Sequence, residues 1–482
     1  MKRAISIICF LLLFVSGFNV LAYEKNISNA FNSNVTYDLL IIAPEMFSEN
    51  LQQLIEHKNN HNVKTVLKTT EEIYNERNGR DQAEKIKYFI KEAFDYWNIK
   101  YVLFVGGKEQ IPVRYVELDS SYWLPYYLNL MNHMNKKYYT LQKIGSIRII
   151  SDLYYADIYD QNMNFCNWDS NNNDLFGELN DYDIIDRVDL MPEISVGRLL
   201  CKTNTEVKEA VSKIINYENN AYGSEWFNNI ILVGGDSHSN IIQEIYFIIL
   251  YWKIFRGKIA FEGEYMCEKT LEYLNDFNEK KIYASSSSFT VENINDAINE
   301  GASFLLLALH GSPTIFATHP PFSNRWLPSN SNRYHISEIQ KLNNLEKLPI
   351  AVLPACSSGD FSIEPNPFAW EFVRYSNGGA IASFGLTSMG FYLPSTLAIE
   401  SQTGHLAMSV FEAYSEGIDI VGEIWSETIK RYLDDEEAMT IGNYNTTLPI
   451  IGYTESPAWV NHITMEEWML FGDPSLKIGG FD

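Results

Sequence analysis

The sequence predicts an α/β protein with mostly parallel sheets in two subdomains, and three observations predict it. Short apolar runs alternate with amphipathic helical segments along most of the chain. Two of the runs stop at paired glycines, Gly106-Gly107 and Gly234-Gly235, as strands do where they turn into a following helix. Two more, Ser303 to Gly311 (SFLLLALHG) and Pro349 to Phe361 (PIAVLPACSSGDF), end at chemically reactive side chains, His310 and Cys356. A strand that is apolar along its length is covered on both faces, which is the habit of parallel sheets, and open sheets of that kind place ligands at the carboxyl ends of their strands.

Taken in order, Tyr37 to Ala43 reads as a strand, Glu49 to Asn59 as a helix and Val63 to Leu67 as a strand. Asp81 to Trp97 carries Ile86, Phe89, Ile90, Ala93, Phe94 and Trp97 on one face, the spacing of a packed helix. Tyr101 to Val105 is again a strand, and the Tyr-, Asn- and Asp-rich section Ile111 to Pro192 reads as insertions and loops. Ile194 to Val196 and Glu206 to Tyr217 give a further strand and helix, and the polar stretch Glu218 to Ser224 is the expected boundary between subdomains spanning 37–222 and 223–478. Beyond it come a strand at Ile230 to Val233, a buried helix near Ile241 to Phe255, and a helix from Val291 to Glu300 capped by Thr290 and stopped by Gly301. The His310 and Cys356 strands follow, then a helix at Phe368 to Tyr375, a strand at Ala380 to Phe384, and helices at Gly417 to Leu433 and His462 to Leu470.

Composition bounds the function. With 482 residues, 46% of them hydrophobic, the chain buries a large core. A formal charge of −24 argues against nucleic acid or an anionic membrane surface as partner, since both demand positive patches. Residues 1–22 read as a signal peptide: Lys2 and Arg3, an apolar core too short to span a bilayer, then Val20-Leu21-Ala22. The expectation is therefore an exported protein without stable membrane insertion. Cysteines 166, 201, 267 and 356 lie beyond the signal, with no metal-ligating spacing among them.

A thiol with an ordinary pKa of about 8.5 is mostly protonated at neutral pH, so a nucleophilic cysteine needs a neighbouring base or a field of amides. Cys356 follows a buried strand and precedes Ser357, Ser358 and Gly359, so its own N–H is free to face a developing oxyanion. His310 ends the preceding predicted strand, and Gly311 after it, lacking a side chain, allows close approach to a carbonyl. An isolated cysteine or histidine is ordinarily a packing residue. Here the ordered pair is the signal. His319, His335, His405 and His462 show no partner spacing and read as surface or packing residues.

Apolar-block-His-Gly followed by apolar-block-Ala-Cys resembles the caspase-like cysteine peptidases. Within that clan Leu309-His310-Gly311-Ser312, Pro354 to Phe361 (PACSSGDF), Leu470 to Leu476 (LFGDPSL), Val105-Gly106-Gly107 and Pro192 to Arg198 (PEISVGR) are similar to the gingipain family. The resemblance runs from about Tyr37 to Ile478. It implies a three-layer caspase-like α/β/α fold with the catalytic site in the second subdomain. It makes Cys356 the nucleophile, His310 the general acid and base, and the N–H groups of Gly311 and Cys356 an oxyanion hole. Asp236, after the strand Ile230 to Val233, matches the acidic residue that orients the histidine; a loop or helix-capping role is the competing reading. Ser357 and Trp326 are expected to line the substrate cleft, Trp326 because the loop Thr314 to Asn332 leaves the His310 strand on that rim. Two departures stand out. Ile241 or Ile242 falls where Arg-specific gingipains carry an aspartate, so basic specificity does not transfer, and only about fourteen residues separate the signal from the first strand.

The run Asp169 to Glu178 (DSNNNDLFGE) sets oxygen ligands at alternate positions, with Asp169, Asn171, Asn173 and Glu178 as the expected set for structural Ca2+. It lacks the glycine and the twelfth-position glutamate of an EF-hand, and an Asn/Asp-rich surface loop is the alternative. No cofactor is expected for the chemistry. The function predicted is a secreted cysteine endopeptidase acting on protein or peptide substrates through a thioester. The alternatives are a catalytically idle caspase-like binding module and a transpeptidase using the same dyad.

Overall fold

The computed structural model describes residues 35–119, 147–180, 183–237, 258, 260–329, 333–442 and 459–482. The expected signal peptide, the helix near Ile241 to Phe255 and Ile241 or Ile242 themselves lie outside those residues. Sixteen strands are described: β1 (Leu39–Ala43), β2 (Thr65–Thr69), β3 (Tyr101–Val105), β4 (Arg114–Asp119), β5 (Ile147–Ser151), β6 (Leu179–Asn180), β7 (Ser195–Leu199), β8 (Asn229–Gly234), β9 (Asn278–Tyr283), β10 (Phe304–Ala308), β11 (His310–Gly311), β12 (Ile315–Ala317), β13 (Tyr334–His335), β14 (Ile350–Leu353), β15 (Ala382–Leu386) and β16 (Trp468–Phe471).

Ten of them form one sheet in the order β2-β1-β3-β7-β16-β15-β14-β10-β8-β9. Every pairing is parallel except β15 with β16. The sheet is thus an α/β sheet in two parallel halves of opposite direction. In β1, β3, β10, β14 and β15 each residue is buried, so both faces are covered, as their unbroken apolar runs require.

Helix boundaries follow local chemistry. The helix Gln82–Trp97 is capped by the Asp81 carboxylate accepting from Glu84 N and ends at Asn98 in the left-handed region. Val291–Glu300 is capped by Thr290 and stops at Gly301, where φ is +91°.

The structure departs from the sequence reading in three places. The helix expected over His462 to Leu470 ends at Glu466, and Trp468–Phe471 is a strand. A four-residue apolar run fits either element, and pairing with Ser383 to Leu386 on one side and Arg198 on the other decides it. The section Ile111 to Pro192 contains a three-stranded sheet, β5-β4-β6, in place of loops alone. The polar stretch Asn278 to Tyr283 is an edge strand whose Lys280 and Lys281 pair with Glu300 and Glu268, charges that guard an open edge.

At the seam between the halves the turn after β16 is locked by buried ions. Lys58 Nζ, fully buried, lies 2.8 Å from both Glu218 Oε1 and Asp473 Oδ2, and His57 Nε2 lies 2.9 Å from Glu218 Oε2. Burial opposes the Lys58 charge, but Asp473 and Glu218 outweigh it and hold its pKa above the ordinary value. Burial likewise opposes the Glu218 carboxylate, and Lys58 overcomes it, so that pKa lies below the ordinary value. Gly197 is required here because a Cβ would sit 2.5 Å from Gly472 O. Lys58→Met leaves two buried carboxylates without their cation and is expected to cost about 3–5 kcal/mol, measured by urea unfolding at pH 7. The Glu218 contribution is present above the unfolded carboxylate pKa of about 4.3 and is lost as pH falls below it. The wild-type advantage over Lys58→Met should therefore shrink in acid, and an advantage independent of pH would contradict the network.

Candidate active site

Three adjacent strands deliver side chains to one rim. In the β10/β14 ladder Leu306 pairs with Val352, and His310 and Cys356 each lie four residues further on. In the β10/β8 ladder Ala308 pairs with Gly234, and His310 and Asp236 each lie two residues further on. Parallel register therefore carries Asp236, His310 and Cys356 outward to the same level. The approach is close: a Cβ on Gly311 would lie 2.7 Å from Ala355 Cβ and 3.2 Å from Cys356 O. A side chain after His310 would wedge the two strand ends apart.

Gly311 belongs to a second, small sheet, β11-β12-β13. Ser312 N donates to Ile315 O at 2.9 Å. Alternation along this antiparallel hairpin makes Gly311/Phe316 the non-hydrogen-bonded pair, so the Gly311 N–H points away from β12.

His310 is half-buried, and its Nε2 lies 3.0 Å from Ser237 O. A carbonyl only accepts, so Nε2 carries a proton in this contact. Ser237 is held in turn, its N–H donating to Glu262 Oε2 at 3.1 Å. The Trp326 ring stands edge-on to His310 with centroids 5.5 Å apart, and His319 lies 3.9 Å from Trp326, centroid to centroid. His319 is thus a buried member of the site wall, where its lack of partner spacing had suggested surface or packing. Its contacts cross from one loop turn to another and leave no periodic trace.

Asp236 is fully buried and exchanges backbone hydrogen bonds with His319. Its Oδ2 accepts the Phe322 N–H at 3.2 Å, and it shares a hydrogen bond with Glu262, whose carboxyl burial pushes up. Asp236 therefore anchors the loop that carries Trp326. Ser357, half-buried, has φ +53° and donates its N–H to Ser388 O at 2.6 Å, which fixes the turn after the nucleophile.

Cys356 is partly exposed, whereas Cys166, Cys201 and Cys267 are buried and no disulfide links them. Its Sγ lies 3.7 Å from Gly390 O. Burial pushes the thiol up to about 11, and the nearby Glu467 carboxyl adds to the shift. Glu467 is completely buried, and burial raises its pKa well above the ordinary value, with the backbone of Ser388 opposing the shift. It sits on the catalytic rim because β16 runs against β15: Thr387 N, just past β15, donates to Glu467 O at 3.0 Å. Glu467 had no distinguishing signal in a stretch that reads as helix.

The expected calcium ligands are otherwise engaged. Asp169 forms an ion pair with Arg80 Nη1 at 2.5 Å and accepts from Asn173 N and Asp174 N. Glu178 Oε2 accepts from the side-chain amides of Asn171 and Asn173, turning their N–H groups inward where calcium would need carbonyl oxygens. Among the described residues no three His, Cys, Asp or Glu side chains group closely enough to hold a metal ion. As arranged, this loop does not fit calcium; a guanidinium takes the place of the cation.

A family model, peptidase family C25, matches residues 32–479. The chain is 21% identical over 448 residues to gingipain R2 of Porphyromonas gingivalis, covering 91% of this chain and 46% of that protein. It is 20% identical to gingipain R1 of the same organism, covering 91% of this chain and 34% of that one. This chain thus spans less than half the length of either relative. A crystal structure of the Arg-specific cysteine proteinase gingipain R superposes with a TM-score of 0.60 at 17% identity, covering 92% of this chain and 78% of that one. A complex of the P. gingivalis RgpB pro- and mature domains superposes with a TM-score of 0.59 over 92% of this chain and 79% of its own. The caspase-like α/β fold expected from the motifs is the fold these structures share with it.

The electrostatics generate a measurable expectation. Alkylation follows the thiolate fraction, which rises about tenfold per pH unit below the pKa. The rate of Cys356 modification by iodoacetamide should therefore keep rising well above pH 8. Glu467→Gln removes the neighbouring carboxyl and should lower the apparent thiol pKa, increasing the rate at pH 9 several-fold. An identical pH–rate profile in the variant would show that Glu467 does not act on the sulfur.

Proposed function

The chain belongs to peptidase family C25, and we propose that it is a secreted cysteine endopeptidase in which Cys356 and His310 hydrolyse peptide bonds through a thioester. The observation that carries this reading is the common register of β10 and β14, which brings His310-Gly311 against Ala355-Cys356. The hydrogen bond from His310 Nε2 to Ser237 O supports Nδ1 as the basic nitrogen.

In the cycle we infer, the Cys356 sulfur attacks the scissile carbonyl while His310 takes its proton. Burial disfavours a free thiolate, so in this cycle proton removal accompanies attack. The N–H groups of Gly311 and Cys356 stabilise the tetrahedral oxyanion. Each such donor contributes about 10²–10³ in kcat where measured in other acyl transferases. Collapse expels the amine, which receives the proton from His310. Water, activated by the same imidazole, then cleaves the thioester and restores the thiol. Asp236 and Glu262 serve as positioning residues, through the Phe322 loop and through Ser237 respectively.

The test is a peptide-library cleavage profile under reducing conditions. Cys356→Ala should abolish cleavage, and His310→Ala should lower kcat/KM by about 10²–10⁴. Mass spectrometry of the inhibited wild type should find one alkylated cysteine, Cys356, with Cys166, Cys201 and Cys267 untouched in the folded protein. A chain that cleaves nothing and leaves Cys356 unmodified is an idle binding module, and the proposal then fails.

A further inference from the structure

Phe322 is 49% exposed and has φ +57°, a conformation that a bulky side chain enters only under constraint. The constraint is visible. Its N–H is held by the buried Asp236 carboxylate, and the chain enters it through Pro320-Pro321, with Ser323 N closing a turn onto Pro320 O at 3.1 Å. Its ring meets Phe261 edge-on, with centroids 5.4 Å apart. The backbone is thus held in a region unusual for a bulky residue, with the apolar ring against Phe261 on one edge and about half in the open. Folding alone would favour burying that ring or replacing it with glycine.

The place is also specific. Phe322 is one hydrogen bond from Asp236, and the next residue, Ser237, accepts from His310. Trp326, on the same loop, presents its half-buried indole to the His310 ring. Trp326 therefore stands against the imidazole, and Phe322, four residues earlier on the same loop, is tied by its backbone to Asp236 next to Ser237. The chemistry then says which part of a substrate meets them. The acyl half of the peptide becomes bonded to Cys356, whereas the leaving amine must reach His310 to be protonated, so the chain beyond the scissile bond passes the histidine.

We infer that Phe322 and Trp326 form an apolar subsite for the leaving side of the substrate, taking an aliphatic or aromatic side chain within the first two residues after the cut. This rests on the proposed peptidase reading and adds to it a specificity on the side opposite the acyl residue. Phe322 supplies contact area, and Trp326 also packs against the imidazole that must face the leaving nitrogen.

The experiment uses internally quenched peptides built on a sequence that the library profile finds cleaved, differing at the first or, in a parallel series, the second position after the cut: Phe, Leu, Ser or Asp. Wild type should prefer Phe and Leu over Asp by about tenfold or more in kcat/KM, the scale on which apolar pockets discriminate. Phe322→Ala and Phe322→Gly should reduce that ratio to within about threefold. Glycine adopts φ +57° without strain, so Phe322→Gly should keep or raise Tm and retains a folded protein should the alanine variant be unstable. Cleavage by wild type without such a preference, or a preference that survives in the glycine variant, overturns the subsite and leaves the peptidase reading standing. A wild type that cleaves nothing in the series overturns both.

Discussion

Three neighbouring strands, β8, β10 and β14, are hydrogen-bonded in parallel along apolar stretches buried on both faces. That register is the constraint on which the rest of the site depends. A slip of one residue would exchange the faces of an entire strand, and a slip of two would displace an end by more than a side-chain length. Because both faces are buried, water offers the ladder no competing hydrogen bonds. The ends of the three strands are thereby fixed relative to one another by the ladder itself.

The two halves of the ten-stranded sheet run in opposite directions and meet at β15 and β16. Reversal at this seam brings the start of β16 to the same rim as the end of β14, and so places the buried Glu467 beside the nucleophile. The other end of β16 leads into Gly472-Asp473-Pro474-Ser475-Leu476, where Asp473 meets Lys58 and Gly472 packs on Gly197. The motif that marks the family near the C-terminus therefore fastens the fold, and its connection to the chemistry runs through the position of β16.

The surroundings of Cys356 are apolar and acidic, which favours the protonated thiol. On the neighbouring strand end the His310 imidazole meets the Ser237 carbonyl, and the Ser237 N–H is itself held by Glu262.

The sequence by itself determined the parallel α/β character, the two reactive strand ends and the pairing of His310-Gly311 with Ala355-Cys356. These rest on local pattern, since an unbroken apolar run, a terminating glycine and a helix cap are written in adjacent residues. Tyr101–Val105 and the Thr290-capped helix were legible to the residue for that reason. Tertiary structure alone decided that Trp468–Phe471 is a strand, that Asp236 grips the Phe322 backbone, that Arg80 fills the Asp169 loop, that Glu262 holds Ser237, and that His319 packs on Trp326. All but the last depend on a partner tens or hundreds of residues away, chosen by sheet order and chain direction. No spacing along the sequence encodes such a partner, because the distance that matters is measured across the sheet.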